Sequence, residues 1–567
     1  MPLQVKPHEN DGLSLNHYIG DGSILLAFDL DEGKKVNLAG FSIHCITPNR
    51  GPYSTNEYFL PNRLNFKQTL THNKKLSTWK RIGSDKAPFQ TFHWIHVPSA
   101  GPGEYQYTVY ASYFKNSGTD IVLGPKVSTK VNLTYPSGFT SLDFGFTRGY
   151  ISSQAYADRF GNKEIRPKKK SINFDTTPYQ KQYQWLGAHA RELIFGFLDE
   201  CHKDPSIHLD IFAYDFDEPD IIRNVCKLGS RVRVFQDDAP LHTGPKHMEP
   251  KTVAALEAAG AKVKKGHFKR FAHDKVMIQK RQGKSEKVLT GSANFSLRGL
   301  YVQANSILVF DHPNVADLYE QAFEQAFTNE TKFKSSQIAS KWFDIKDNQD
   351  SMNDHKSLPP TSLSFAPHTT AYTLERIAEA INSAKSSVLF AIMQFGKGSV
   401  MPSLKNLSSK KGLVSLGTIE SEGQLKLFKP GIAHNTAVTS FSFLKRNISE
   451  CFKAEWSGGQ GQVIHHKFVV CDFNDKTPVV FCGSSNLAEG GEKSNGDNLI
   501  AIYDSKIASR YAVEAIRLYD HYRFRSLHEN STSDNPLILQ STDEWTKSYY
   551  DPNKLNFHIR RLLNNKQ

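Results

Sequence analysis

Apolar and polar residues alternate from Tyr105 to Tyr113, which puts Tyr105, Tyr107, Val109, Ala111 and Tyr113 on one face of a strand. The turn-forming run Pro98–Gly103 precedes it, and Phe89–Val97 and Val127–Leu133 read as further strands. No helical period of useful length appears before the 180s. Residues 1–140 are therefore expected to form a small all-β sandwich. The segment 141–185 reads as a connector with aromatic residues and a basic knot, Arg166–Lys170. Beyond it the period switches between strand and helix. Ile207–Phe212 and Arg231–Phe235 are apolar strands; Pro219–Leu228 sets Ile221, Ile222, Val225 and Leu228 at helical spacing, and Thr252–Ala259 is a second helix. The polar run Asp344–Pro360 interrupts this pattern as a linker. The alternation then resumes with the stripe Leu374, Ile377, Ala378, Ile381 and the strand Val388–Met393, inside the apolar run Ser387–Phe395. The expected fold class is α/β: two layered α/β halves, 186–343 and 371–567, joined by a linker at 344–370 and preceded by the sandwich.

The two halves repeat one constellation. His273-Asp274-Lys275 precedes Gly291-Ser292-Ala293-Asn294, and His465-His466-Lys467 precedes Gly483-Ser484-Ser485-Asn486. The interval from His to Gly is 18 residues in both, and the copies lie 192 residues apart. Each Gly-Ser-x-Asn follows an apolar strand end, and a second asparagine, Asn305 or Asn498, opens the next strand. Long helices follow at Val315–Phe327 and Lys506–Tyr519.

The residue types suit an anion with a reactive centre. In an extended segment a His and a Lys two positions apart share a face. The ammonium repels a metal ion but offsets phosphate charge, while the imidazole attacks phosphorus or protonates a leaving oxygen. Ser292, Asn294, Asn305, Ser484, Asn486 and Asn498 are candidate donors to non-bridging oxygens, with Gly allowing close backbone approach. Two half-sites facing each other supply two histidines, one to attack and one to act as acid and then base. His93 and His96 read as half-buried strand residues, and His466 should point away from the site.

The pair HxK…GSxN, repeated in one chain, resembles the phospholipase D superfamily, whose signature is HxKxxxxD with GSxN downstream. The second half carries it fully, with His465, Lys467 and Asp472. The resemblance covers about Tyr183–Gln567. It implies a phosphodiesterase that needs no metal or other cofactor, a covalent phosphohistidine, and transfer of the phosphoryl group to water or an alcohol. It also implies two halves packed about a pseudo-twofold axis with both histidines at the interface. The first half departs from the pattern. Lys280 stands where the second half has Asp472, and Ala304, behind Gln303, stands before Asn305 where Asp497 stands before Asn498. Family members tend to have an acidic residue there that orients the catalytic imidazole. On this reading Asp497 backs His465 as nucleophile, and His273 is the acid/base. The Pro-Gly turn followed by Tyr-x-Tyr-x-Val separately resembles a fibronectin type III or immunoglobulin-like module.

Charge narrows the partners. The chain has 567 residues and a net charge of +13, which favours phosphate-rich partners, either nucleic acid or an anionic membrane surface. Between Lys262 and Lys287 ten basic side chains face two acidic ones, a net of +8. This stretch is the expected polyanion contact. No apolar run approaches a membrane span. The N-terminus lacks the pattern of a secretory signal, and the six cysteines form no CxxC pair. The cytoplasm is the default compartment, with signal-free export left open. Three functions compete: phospholipase D-like removal of phospholipid head groups, cleavage of DNA or RNA, and phosphate binding without catalysis. The intact motifs speak against the third. The layout of two motifs plus a β module puts lipid ahead of nucleic acid.

Overall fold

The computed structural model describes residues 8–48, 56–66, 81–115, 120–135, 139, 141–149, 153–245, 247–345, 357–394, 396–420, 436–440, 463–532 and 534–566. Phe395, Cys451 and residues 346–356 of the expected linker lie outside them.

The N-terminal region is all-β, as its alternation predicts. One sheet runs His8–Asn10, Leu13–Ile19, Ile24–Leu30, His93–His96; the other runs Ile121–Leu133, Gly103–Phe114, Leu38–Ile46, Glu57–Phe59. Tyr105, Tyr107, Val109 and Ala111 are buried between them, with Tyr113 at the margin. Phe89 stacks on Trp94 at 3.8 Å between centroids. Trp545, from the far end of the chain, joins this core and donates its Nε1–H to Leu38 O at 2.9 Å. The sandwich is thus closed by the C-terminal segment. It is also tied to the first half: Asp21 accepts from His189 Nδ1 at 2.9 Å and from Phe146 N at 2.8 Å. His93 and His96 are half-buried strand residues; His93 bonds Asp520 at 2.8 Å and His96 bonds Tyr107 at 2.9 Å.

The two halves hold matched sheets. The first runs Leu142–Phe146, Ser306–Phe310, Lys284–Gly291, Val276–Arg281, Ile207–Ala213, Val232–Asp237, Lys262–Gly266. After an extra edge strand, Phe343–Ile345, the second repeats that order: Thr361–Ala366, Asn495–Ile502, Val479–Gly483, Lys467–Cys471, Ser387–Ile392, Val414–Ile419, Thr436–Ser440. In each, a strand–helix–strand unit supplies a parallel pair and antiparallel hairpins carry the motifs. These strands refine the expected boundaries. Leu142–Phe146, within the span read as a connector, is an edge strand of the first half, and Thr361–Ala366, within the linker span, belongs to the second.

Strand register also corrects the alignment of the repeats. Gly291 faces Ile307 and Gly483 faces Leu499, so Asn305 is the counterpart of Asp497, and Ser306 that of Asn498. The mismatch arose because both Asp497 and Asn498 are polar residues opening the strand; only pairing distinguishes them. The two motif glycines have φ of +146° and +135°, and a Cβ there would meet Ser306 O at 2.2 Å or Asn498 O at 2.5 Å. Glycine is required where the two strands close at this end.

Candidate active site

The halves interlock at their motifs. Phe271–Ala272 pairs in parallel with Asn495 and Gly496, and Ala304 bridges to Ile464. The residues just before each histidine thus run beside those just before the Asx position of the opposite half. The side chains cross in the same way: His273 Nδ1 lies 2.7 Å from Asp497 Oδ1, and His465 Nδ1 lies 2.9 Å from Asn305 Oδ1. The expectation that Asp497 stands behind His465 is corrected. Asp497 holds the histidine of the other half, and His465 is held by an amide. Spacing within one repeat cannot reveal a contact that exists only between repeats.

Each Asx is itself clamped. Ser484 Oγ donates to Asp497 Oδ1 at 2.9 Å and Ser292 Oγ to Asn305 Oδ1 at 2.8 Å. Asn305 Nδ2 donates to Gly299 O at 2.8 Å, which fixes the amide with its oxygen toward the imidazole. Both partners accept from Nδ1–H, so the free lone pair of each imidazole is on Nε2, and neither Nε2 bonds a described residue. The serines and Asn305 thus orient histidines rather than reaching outward as donors to substrate, as the motif had suggested. Asn498 is also turned away, donating to Asp274 Oδ1 at 2.7 Å. Asn294 donates to Asp215 Oδ2 at 2.6 Å, and its Oδ1, like that of Asn486, has no partner among the described residues.

Lys275 and Lys467 are 0% and 1% exposed. Each ammonium folds back onto the carbonyl of its own histidine, Lys467 at 2.7 Å. Lys275 also lies over the Tyr214 ring, 4.9 Å from its centroid. Burial, then the charges of both lysines, holds His273 and His465 well below the usual imidazole range, so both are neutral. Burial lowers Lys275 to about 8 and Lys467 further below its ordinary value. It raises Asp497 and Asp274 to about 7. A buried anion arriving here would restore charge to the ammoniums at little cost.

Asp472 does not reach this cleft. Its carboxylate accepts from the backbone N–H of Lys385, Ser386 and Ser387 at 2.8–3.1 Å, so its catalytic assignment is corrected to a structural one. Lys280, at the matching position, pairs with Glu320 on the helix Pro313–Asn329. His466 faces Glu514 at 3.2 Å, away from the site as expected. The basic stretch is only partly a free surface. Lys264, Lys280, Arg281 and Lys287 pair with internal acids and Lys275 lies in the cleft, while Lys262, Lys265, Lys269, Arg270 and Lys284 form no ion pair with described residues.

The motifs did not reveal a charged group on the first half. Tyr214 and Asp215 follow the strand Ile207–Ala213, and Asp237 ends its parallel neighbour. His242 bonds Asp237 at 2.6 Å and Asp215 at 2.9 Å, and Arg298 reaches Asp215 at 3.2 Å. One signal was available: in α/β sheets, sites gather beyond the carboxyl ends of parallel strands.

Each imidazole leaves its Nε2 free and stands two residues from a buried lysine, an arrangement that can hold an anion and exchange a proton or a phosphoryl group with it. The family model described as "Cardiolipin synthase, PLD-like domain" matches residues 198–327 and again 377–519, one match per half. No curated protein matches the chain. Among solved structures, the chain is similar to a polyphosphate kinase from Porphyromonas gingivalis, at 12% identity over 68% of this chain, with a TM-score of 0.39. It spans 54% of that kinase's length. It is also similar to a phosphatidylserine synthase from Haemophilus influenzae, at 10% identity over 67% of this chain and 92% of that one, with a TM-score of 0.39. A third likeness is to the phospholipase D family member Nuc from Salmonella typhimurium, at 22% identity over 24% of this chain and 87% of that one, with a TM-score of 0.21. Among the described residues, no helix is long and apolar enough to cross a membrane.

Proposed function

We propose that the protein cleaves phosphodiesters through a phosphohistidine formed on His273, and that its substrates are phospholipids. The observation that carries the roles is the unequal backing of the two imidazoles. Attack by His273 Nε2 on phosphorus leaves a positive ring, and Asp497 at 2.7 Å from Nδ1 stabilises that charge. The bound phosphate anion favours a protonated His465, which takes a proton from solvent onto Nε2; as the P–O bond to the leaving alcohol breaks, that proton passes to the leaving oxygen. Asn305 offers His465 a neutral acceptor at 2.9 Å, so its imidazolium is a strong acid that releases the proton readily. In the second step water attacks phosphorus, His465 takes back a proton, and the P–N bond breaks to release the phosphomonoester. Lys275 and Lys467 offset the phosphate charge in both steps. Support for the lipid reading is the repeated match to a model described as cardiolipin synthase, PLD-like domain.

The unpaired Lys262, Lys265, Lys269, Arg270 and Lys284 favour a second reading, cleavage of DNA or RNA, since such charges bind polynucleotides in a salt-dependent way. Substrate labelled on phosphorus tests the mechanism: acid-labile label should remain on the protein after quenching, and no label with any substrate would leave only phosphate binding. Phosphatidylcholine vesicles run beside single- and double-stranded DNA and RNA test the class. Released choline supports the first reading and shortened polynucleotide the second.

A further inference from the structure

We propose that Asp215, His242 and Glu249 form a site for one divalent transition-metal ion beside the histidine cleft. Their ligand atoms, one from each residue, lie within 4.8 Å of one another. Glu249 supplies the independent sign. It opens the helix Glu249–Ala258, is 6% exposed, and makes no side-chain hydrogen bond or ion pair with another described residue. A carboxylate largely removed from water and met only by its own backbone N–H is unfavourable as an anion, and a cation in contact with it removes that penalty.

The surroundings are those of a ligating histidine. His242 Nδ1 bonds Asp237 Oδ2 at 2.6 Å, and Asp237 is itself held by Ala239 N at 3.1 Å and by Ala272 N. A carboxylate on one ring nitrogen orients the other toward a metal and raises its basicity. His242 Nε2 now bonds Asp215 Oδ1 at 2.9 Å; the ion would take the place of the proton between them. Asp215 keeps its other oxygen for Asn294 Nδ2 at 2.6 Å and Arg298 at 3.2 Å. Arg298 opposes a cation, but Asp215, Asp237 and Glu249 bring three negative charges, which one guanidinium and one divalent ion balance with His242 neutral. One imidazole with two carboxylates suits Mn2+ or Zn2+ rather than a thiol-seeking ion. Among the described residues the second half has no such set, and Gln394 follows its strand where Asp215 follows the first. The ion would hold Asp215 against Asn294 and Asp237 against the backbone preceding His273, stiffening one half-site only.

The test needs no substrate and stands apart from the proposed reaction. The full-length protein, stripped with chelator and dialysed, is titrated with Mn2+ and free ion is read by electron paramagnetic resonance. One bound Mn2+ per chain, displaced by Zn2+, is expected. Glu249→Gln should weaken binding at least tenfold with an unchanged circular dichroism spectrum, and His242→Gln should abolish it. Glu286→Gln, at a half-buried carboxylate paired with Arg281 elsewhere, should leave it unchanged. If His242→Gln does not fold, the amide at Glu249, equal in volume, decides. No bound Mn2+ or Zn2+, or binding that Glu249→Gln leaves intact, overturns the site.

Discussion

In the first half, Asn305 stands at the start of the strand beside the motif strand and reaches across to His465; in the second, Asp497 does the same for His273. The sheets, the strand order and the glycine turns are shared, yet one imidazole rests on an amide and the other on a carboxylate. A duplicated scaffold places two identical groups, and in the proposed reaction a single oxygen-for-nitrogen difference divides labour between them. Tyr214 adds to the division: it meets His273 edge to face at 4.8 Å and carries Lys275, while Met393 follows the matching strand of the second half.

The sharpest way to break this comparison is to remove each histidine in turn. His273→Ala should abolish the phosphoenzyme and reduce turnover by at least about 10^4-fold. His465→Ala should still accept label from a substrate with a good leaving group but hold it, because nothing activates water. Quench-and-label experiments on the two variants check this. Label retained by His273→Ala and lost by His465→Ala would reverse the roles.

Next in size is the exchange of the backing residues. Asp497→Asn makes the two half-sites alike, and kcat should fall about 10^2–10^4-fold with little change in the folded spectrum. Asn305→Asp places a carboxylate behind both rings. It should slow proton release from His465 to the leaving alcohol and cost about tenfold in the first step, seen as slower phosphoenzyme formation in single-turnover kinetics.

The pH profile sharpens the contrast between the lysines and the rings. Both imidazoles lie well below their usual range, so the nucleophile is already neutral at pH 6. Lys275, lowered to about 8 by burial, loses its charge as pH rises through that value. Loss of the cation weakens anion binding, so kcat/KM should fall about tenfold per pH unit above roughly 8, and protonation of Asp497, raised to about 7 by burial, should lower it again on the acid side of that value. Lys275→Arg keeps its charge at every pH and should remove the part of that limb that belongs to Lys275, leaving the part that belongs to Lys467.

Much of this site was legible from residue order. The HxK and GSxN runs, the repeat of 192 residues and the Tyr105–Tyr113 face all describe neighbours along one strand or copies at a fixed distance, which are local properties. What residue order does not hold is pairing between halves. Asp497 facing His273, and the equivalence of Asn305 with Asp497 rather than Ala304, depend on strands brought together 224 and 192 residues apart. The same limit applied to charge. The run from Lys262 to Lys287 read as one basic surface, but its acids, Glu200, Asp204, Glu320 and Glu330, lie on elements distant in sequence.

The smallest expected effect separates the two residues that follow the motifs, Asp472 and Lys280. Asp472 lies in the left-handed region at φ +54° and satisfies three backbone N–H groups at 385–387, one of them with both oxygens. Its loss leaves buried donors unmet, and Asp472→Ala should destabilise the fold by about 3 kcal/mol. Asp472→Asn, which tolerates that backbone and keeps one acceptor, should cost about 1 kcal/mol. Lys280 is a partly exposed ion-pair partner of Glu320, so Lys280→Ala should cost only about 0.5–1 kcal/mol. Urea unfolding gives the three values, and phosphoenzyme yield under native conditions should be unchanged in all of them. A tenfold loss of yield in Asp472→Asn with stability near wild type would return that carboxylate to the chemistry, and the second half would then own a catalytic group that the first replaces with a lysine.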